Sequence, residues 1–280
     1  MTNLVRRPRL VAMGLAAATV GAVSAGSALE AGARITPAPD RSSENKRAAT
    51  KIARAITERK DVRFTKARFS AIPPESNPAA VSTTRMAGFP LKGKSFAILS
   101  NGDATDADNP NNAPDSSTSL GGPSIRGSRD VVIYRIHVRV PKGRDCLSVR
   151  FRFLSEEYPE FVGTEFNDAF IAELDDSTWN TITKDDPRVE APRNFAQTAD
   201  GKLITVNATG ETNVSPSRAK GTTYDAATRR LRASTRVSRG SHILYLSIFD
   251  QGDRQFDSAV FVDGITVDRR RPCEPGAVQD

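Results

Sequence analysis

Histidine and cysteine are almost missing from this chain, with two of each among 280 residues. That scarcity excludes most chemistry that runs on imidazole or thiolate. His137 and His242 both fall in strand-like stretches, and His137 shares a strand face with Arg135 and Arg139, whose charge disfavours its protonation. No Gly-x-Ser-x-Gly elbow, phosphate loop or His-Glu-x-x-His pair occurs. After the first 28 residues no apolar run approaches the roughly 20 residues that a membrane helix needs, so the mature chain is expected to have no membrane span. A charge excess is missing too, once the formal net charge of +7 is located. Residues 1–28 carry +3, residues 29–40 carry −1, residues 41–68 carry +7, and the remainder carries −2. The main body is near neutral. The basic stretch lacks the aromatic interleaving that single-strand binding requires, so no nucleic-acid partner is expected.

What is present at the beginning has the three parts of an export signal. Arg6, Arg7 and Arg9 precede an apolar run over residues 10–23, and small residues follow over 24–28. Residues 1–28 are therefore read as a signal peptide, cut after Ala25, Ala28 or Ala33, and the mature chain as secreted and extracellular. Outside the reducing cytoplasm, Cys146 and Cys273 are expected to pair in one disulfide. Closing so long a loop is worth about 5 kcal/mol in chain-entropy terms.

Residues 29–59 read as a basic lead-in followed by a short helix over 46–58, with Ile52 and Ile56 on one face. From residue 60 to 268 the pattern is of strands. In 131–140, Val132, Tyr134, Ile136, Val138 and Val140 alternate with Arg135, His137 and Arg139. Pro141-Lys142-Gly143 makes a turn, and Leu147, Val149, Phe151 and Phe153 then alternate with Ser148, Arg150 and Arg152. Further strands are expected over 170–174, 203–206, 231–237, 243–249 and 259–267. No crossover helices separate them. The fold class is all-β: a jelly-roll-like antiparallel β-sandwich with a short N-terminal helix, closed by a tail over 269–280. Two turn-rich insertions, 101–128 and 175–200, are expected to be functional or mobile loops.

Carboxylates gather in the turns. Glu156 and Glu157 follow a strand, with Glu160 just beyond; Asn167 and Asp168 precede a strand; Asp250, Asp253 and Asp257 fill the turn between the last two long strands. Hard oxygen donors of this kind suit Ca²⁺, and the candidate ligands are Glu156, Glu157, Asn167, Asp168, Asp250, Asp253 and Asp257, converging at one end of the sandwich. The same residue types also serve as Asx turns and strand caps without a metal. Asp103, Asp106 and Asp108 form a weaker second candidate. Glu173 and Asp175 share a strand face in the style of a glycosidase, yet no further acid stands beside them. No catalytic residue is assigned.

Five segments, in order, resemble a known family. Phe153-Leu-Ser-Glu-Glu-Tyr-Pro-Glu-Phe-Val-Gly-Thr-Glu-Phe-Asn-Asp-Ala-Phe170 is similar to the signature of the bacterial choice-of-anchor L domain. Ile98-Leu-Ser-Asn-Gly-Asp103, Val206-Asn207, Gly221-Thr-Thr-Tyr-Asp225 and Ile248-Phe-Asp-Gln-Gly-Asp-Arg-Gln-Phe-Asp-Ser-Ala-Val-Phe261 resemble its other segments. Ala226 stands where the family usually has Gly, and Phe249 where it has Ala. Residues 269–280 carry neither an apolar anchor nor a sorting motif. The resemblance implies an extracellular β domain with no catalytic residues to carry over. The expected function is that of a secreted, non-catalytic module for binding or adhesion, at the cell surface or outside the cell, calcium-stabilised, with a glycan or a protein as ligand. The alternatives are a carboxylate-based glycosidase and a structural envelope component.

Overall fold

A computed structural model describes residues 35–37, 42–57, 62–111, 117–184, 188–208, 212–269 and 272–280. The expected signal at 1–28 lies outside them. In chain order the elements are β1 (Ile35–Pro37), α1 (Ser42–Ile56), β2 (Arg63–Ala71), β3 (Ala79–Ser82), β4 (Phe96–Ser100), β5 (Arg129–Val140), β6 (Cys146–Ser155), β7 (Ala169–Leu174), β8 (Asn180–Ile182), β9 (Arg188–Glu190), β10 (Ile204–Thr205), β11 (Ala226–Ala227), β12 (Leu231–Arg236), β13 (Gly240–Asp250), β14 (Ser258–Asp268) and β15 (Gly276–Gln279).

Alternation puts one face of each long strand inside. β5 buries Val132, Tyr134, Ile136, Val138 and Val140, while Arg135 and His137 are half-buried and Arg139 is exposed. Sheet I runs β1-β3-β4-β14-β6-β12-β15, with β11 also on β6, and sheet II runs β10-β7-β13-β5-β2. All of these pairings are antiparallel. Taking β4, β5, β6, β7, β10, β12, β13 and β14 as strands one to eight, the two sheets read 1-8-3-6 and 2-7-4-5. This is the connectivity of a jelly roll, in which the chain keeps crossing between layers. The core between the layers holds Phe151 and Phe153 of sheet I against Phe170, Leu246 and Ile248 of sheet II. The Phe151 and Phe170 rings lie 4.8 Å apart. Each such side chain contributes about 2–3 kcal/mol by leaving water.

The outer faces are partly covered. Phe261 turns outward from β14 to meet Phe89 and Phe96 beneath the loops over sheet I. On sheet II, Trp179 stacks on Phe249 at 4.0 Å, and its indole N–H donates to Ser247 Oγ at 3.1 Å. The helix closes one open side: Ala48, Ala49, Ile52, Ala53 and Ile56 are buried in the same core, and Tyr134 Oη donates to Ala49 O at 2.6 Å.

Several local expectations change. The turn at 141–143 and the turn at 251–257 each carry the chain from one sheet to the other. Insertion 175–200 is not structureless, since β8 and β9 pair within it around Trp179. The lead-in supplies β1, which pairs with β3, and the helix begins at Ser42. The expected tail is an edge strand: β15 pairs with β12, and the Asp280 carboxylate lies 3.1–3.4 Å from Arg150, Arg230 and Arg232. Residues 33–280 form one compact unit. Cys146 and Cys273 are bonded, with Cα atoms 5.7 Å apart, as expected for an oxidised chain.

Candidate functional site

The crossing pattern delivers the ends of β4, β6 and β13 and the starts of β5, β7 and β14 to one end of the sandwich. The acids sit there. Glu156 and Glu157 leave β6, Asp168 leads into β7, Asp250 ends β13 and Asp257 precedes β14; each is at most 5% exposed. The loops are stitched together by backbone donors: Asp168 N to Glu157 Oε2 at 3.1 Å, Gln251 N to Asp168 Oδ1 at 3.2 Å, and Glu156 N to the Asp257 carbonyl at 3.1 Å. Thr118, from the long insertion after β4, donates its N–H to both Asp257 oxygens at 3.0 and 3.1 Å.

Asn101 stands at the centre. Its Oδ1 accepts from Ser258 N at 2.6 Å, and its Nδ2 donates to Asp168 Oδ2 at 2.6 Å and to Asp250 Oδ1. Ser100, Ser155 and Ser258 form a buried hydroxyl layer beneath it, with Ser258 Oγ donating to Ser155 Oγ at 3.0 Å. A Cβ on Gly102 would overlap the Asp257 carboxylate, which fixes that position as glycine.

Charge balance is the notable feature of this end. Arg254 donates to Asp130 Oδ1 at 2.6 Å, and among the described residues no ion pair reaches Glu157, Asp168, Asp250 or Asp257. Burial, reinforced by the neighbouring carboxylates, raises the pKa of Glu157 and Asp250 well above the carboxylate range. Burial also raises Asp168, against the hydrogen bonds it accepts. Asp257 is pushed up to about 7, again mainly by burial. Asp130 is raised by burial despite Arg254. Among the described residues, no three Asp, Glu, His or Cys side chains are arranged to hold a metal ion. The Asn101 amide stands between Asp168 and Asp250 instead.

The other sequence candidates have different surroundings. Asn167 lies beside the cluster, half-buried, with a buried Oδ1 that accepts no hydrogen bond. Asp253 is half-buried and accepts from Gln255 N at 3.0 Å, an Asx turn. Glu160 is exposed. Asp103 caps a short turn through Thr105 N at 2.9 Å and accepts from Asn77 at 3.0 Å. Glu173 is fully buried and accepts from Thr178 N and Oγ1 at 2.6–3.0 Å, and Asp175 pairs with His242 at 2.8 Å. Both lie toward the other end of the sandwich, where β7 ends beside the start of β13. Asn101 and Asp130 were not singled out by reading the sequence; an Asn-Gly closing an apolar strand was the available signal for the first.

Two clefts flank the acids. One of about 320 Å³ is lined by Asn167, Arg188, Lys202, Asn207 and Gln251, and one of about 500 Å³ by Asn109, Lys220, Tyr224 and Asp225.

The sequence profile of the choice-of-anchor L domain matches residues 79–268. The chain belongs to the choice-of-anchor L domain family. The matched stretch contains Asn101 and the acids Asp130, Glu156, Glu157, Asp168, Asp250 and Asp257. No curated protein matches the sequence. Among solved structures the chain is similar to one described as TmCBM61 in complex with beta-1,4-galactotriose. The TM-score is 0.32 at 10% identity, over 74% of this chain and 90% of that one. Among the described residues, no helix of this choice-of-anchor L chain is long and apolar enough to cross a membrane.

Proposed function

We propose that this choice-of-anchor L chain is a secreted, non-catalytic binding module, with the loop end of its jelly roll as the recognition surface and Ca²⁺ as the ion that holds those loops. The carrying observation is the set of four buried carboxylates, Glu157, Asp168, Asp250 and Asp257, gathered from two loops with no ion pair reaching them among the described residues. Burying an unpaired carboxylate costs several kcal/mol, so such a group either takes up a proton or acquires a cation. Ca²⁺ would displace the Asn101 amide as the shared partner of Asp168 and Asp250. The non-catalytic reading is supported by burial: a carboxylate glycosidase needs two acids about 5–9 Å apart in an open cleft, and these acids are closed off. The polar clefts beside Asn167 and Tyr224 are the places where a glycan or protein ligand would meet the loops. The disulfide supports action outside the cytoplasm.

The test is thermal melting of the mature chain in Ca²⁺ and in chelator, followed by a glycan array under both conditions. Ca²⁺ raises the Tm by mass action and chelator lowers it, while Asp168→Asn loses the response and remains folded. A Tm indifferent to Ca²⁺ would leave shared protons as what neutralises these acids. Binding in the array that ignored substitutions at Asn167 and Tyr224 would move recognition off this end.

A further inference from the structure

The outward face of sheet II has a second, unrelated concentration of charge. β2 and β5 pair so that Arg63 lies opposite Arg139, Lys66 opposite His137, and Arg68 opposite Arg135. Like charges directly opposite each other destabilise an antiparallel pair, and here basic residues meet at three successive outward positions. No ion pair among the described residues reaches any of the six. Arg135 Nε is buried without a hydrogen-bond partner. From α1, which packs against β2, the exposed Lys46 joins the six, since its charge acts on Lys66. The groups feel one another: burial, then Arg68, Arg135 and Lys46, lower the pKa of Lys66, and burial, then Arg135, Lys66 and Arg68, lower that of His137.

We propose that this face binds a linear acidic polysaccharide. Alternate residues along a strand repeat about every 6.6–6.8 Å, so β2 presents Arg63, Lys66 and Arg68 in a row beside Arg139 and Arg135 of β5, with His137, whose protonation its neighbours disfavour, between those two; this suits negative charge repeated along an extended polymer. Base-stacking platforms are wanting, since Tyr245, half-buried opposite Arg135, is the aromatic that pairing places beside the rows. A membrane surface would need apolar anchors, and among the described residues the exposed large hydrophobic ones, Val162 and Val278, lie in the loop after β6 and in β15. Nucleic acid and bilayer are thus the weaker occupants. The inference takes only export from the reading above and does not depend on Ca²⁺.

The experiment measures heparin affinity of the mature chain across a salt series, beside Arg68→Ser/Arg139→Ser and an Arg193→Ser control. Both substituted arginines of the double variant are exposed, and an unchanged Tm shows that it folds. The wild type binds heparin with an affinity that falls with salt. The double variant binds about tenfold more weakly near 0.1 M salt with a shallower salt slope, since fewer counterions are released. The control and added chelator change nothing. The proposal is overturned if heparin is not bound, if the double variant equals the wild type, or if duplex DNA or phosphatidylglycerol vesicles bind at least as tightly as heparin.

Discussion

Asn101 holds an unusual position for an amide, donating from one nitrogen to two buried carboxylates while its oxygen accepts from Ser258. What surrounds it sets a pH dependence with a definite sign. Asp257 titrates near 7 in the fold, against about 4 for an aspartate in an unfolded chain. A carboxyl raised in this way binds a proton in the native state that the unfolded chain has released. Its contribution to stability is therefore complete below about pH 4 and is lost as pH rises through the folded value. Asp168, Asp250 and Glu157 are shifted in the same direction. In chelator, the protein is expected to melt at a higher temperature at pH 5 than at pH 8, and saturating Ca²⁺ should remove that difference by taking the place of the protons. Equal melting temperatures in chelator at the two pH values would mean that these acids are ionised at no cost.

Among the elements, α1 carries the clearest energetic role, because it seals the open side of the sandwich with small residues and two isoleucines. Ile52 is 1% exposed, and Ile52→Ala is expected to cost about 2–5 kcal/mol, read from urea unfolding with the m-value unchanged. That helix was legible in the sequence from the i, i+4 spacing of Ile52 and Ile56. β5 and β6 were legible because each keeps a polar face, so the period of two survives. β3 and β4 were harder, being buried on both sides and leaving no alternation to read. β8 and β9 are three residues each, held by Trp179 rather than by a pattern of their own. For the site, the acids showed in the sequence as crowded turns, whereas their neutral partner did not: Asn101 lies 67 residues from Asp168, and only the crossing of the sheets brings the two together.

At the scale of the whole molecule, the two ends of the sandwich are held by different means. Cys146 opens β6, whose other end leads into the acids, so the bond to Cys273 secures the end away from Asn101. Replacing both cysteines with serine is expected to cost about 2–5 kcal/mol of stability while leaving the response to Ca²⁺ intact; loss of that response would show that the ends are coupled. Strand order has one more consequence, and it concerns time. β14 lies in the middle of sheet I between β4 and β6, and Ser100 is joined to Ser258 across 158 residues. Pairing at such separation must meet the cost of loop closure before its contacts return anything. Sheet I cannot assemble from the first half of the chain, so a polypeptide emerging from the ribosome stays open until nearly its last strand has been made. Were the chain exported as proposed, that delay would keep the polypeptide thread passable.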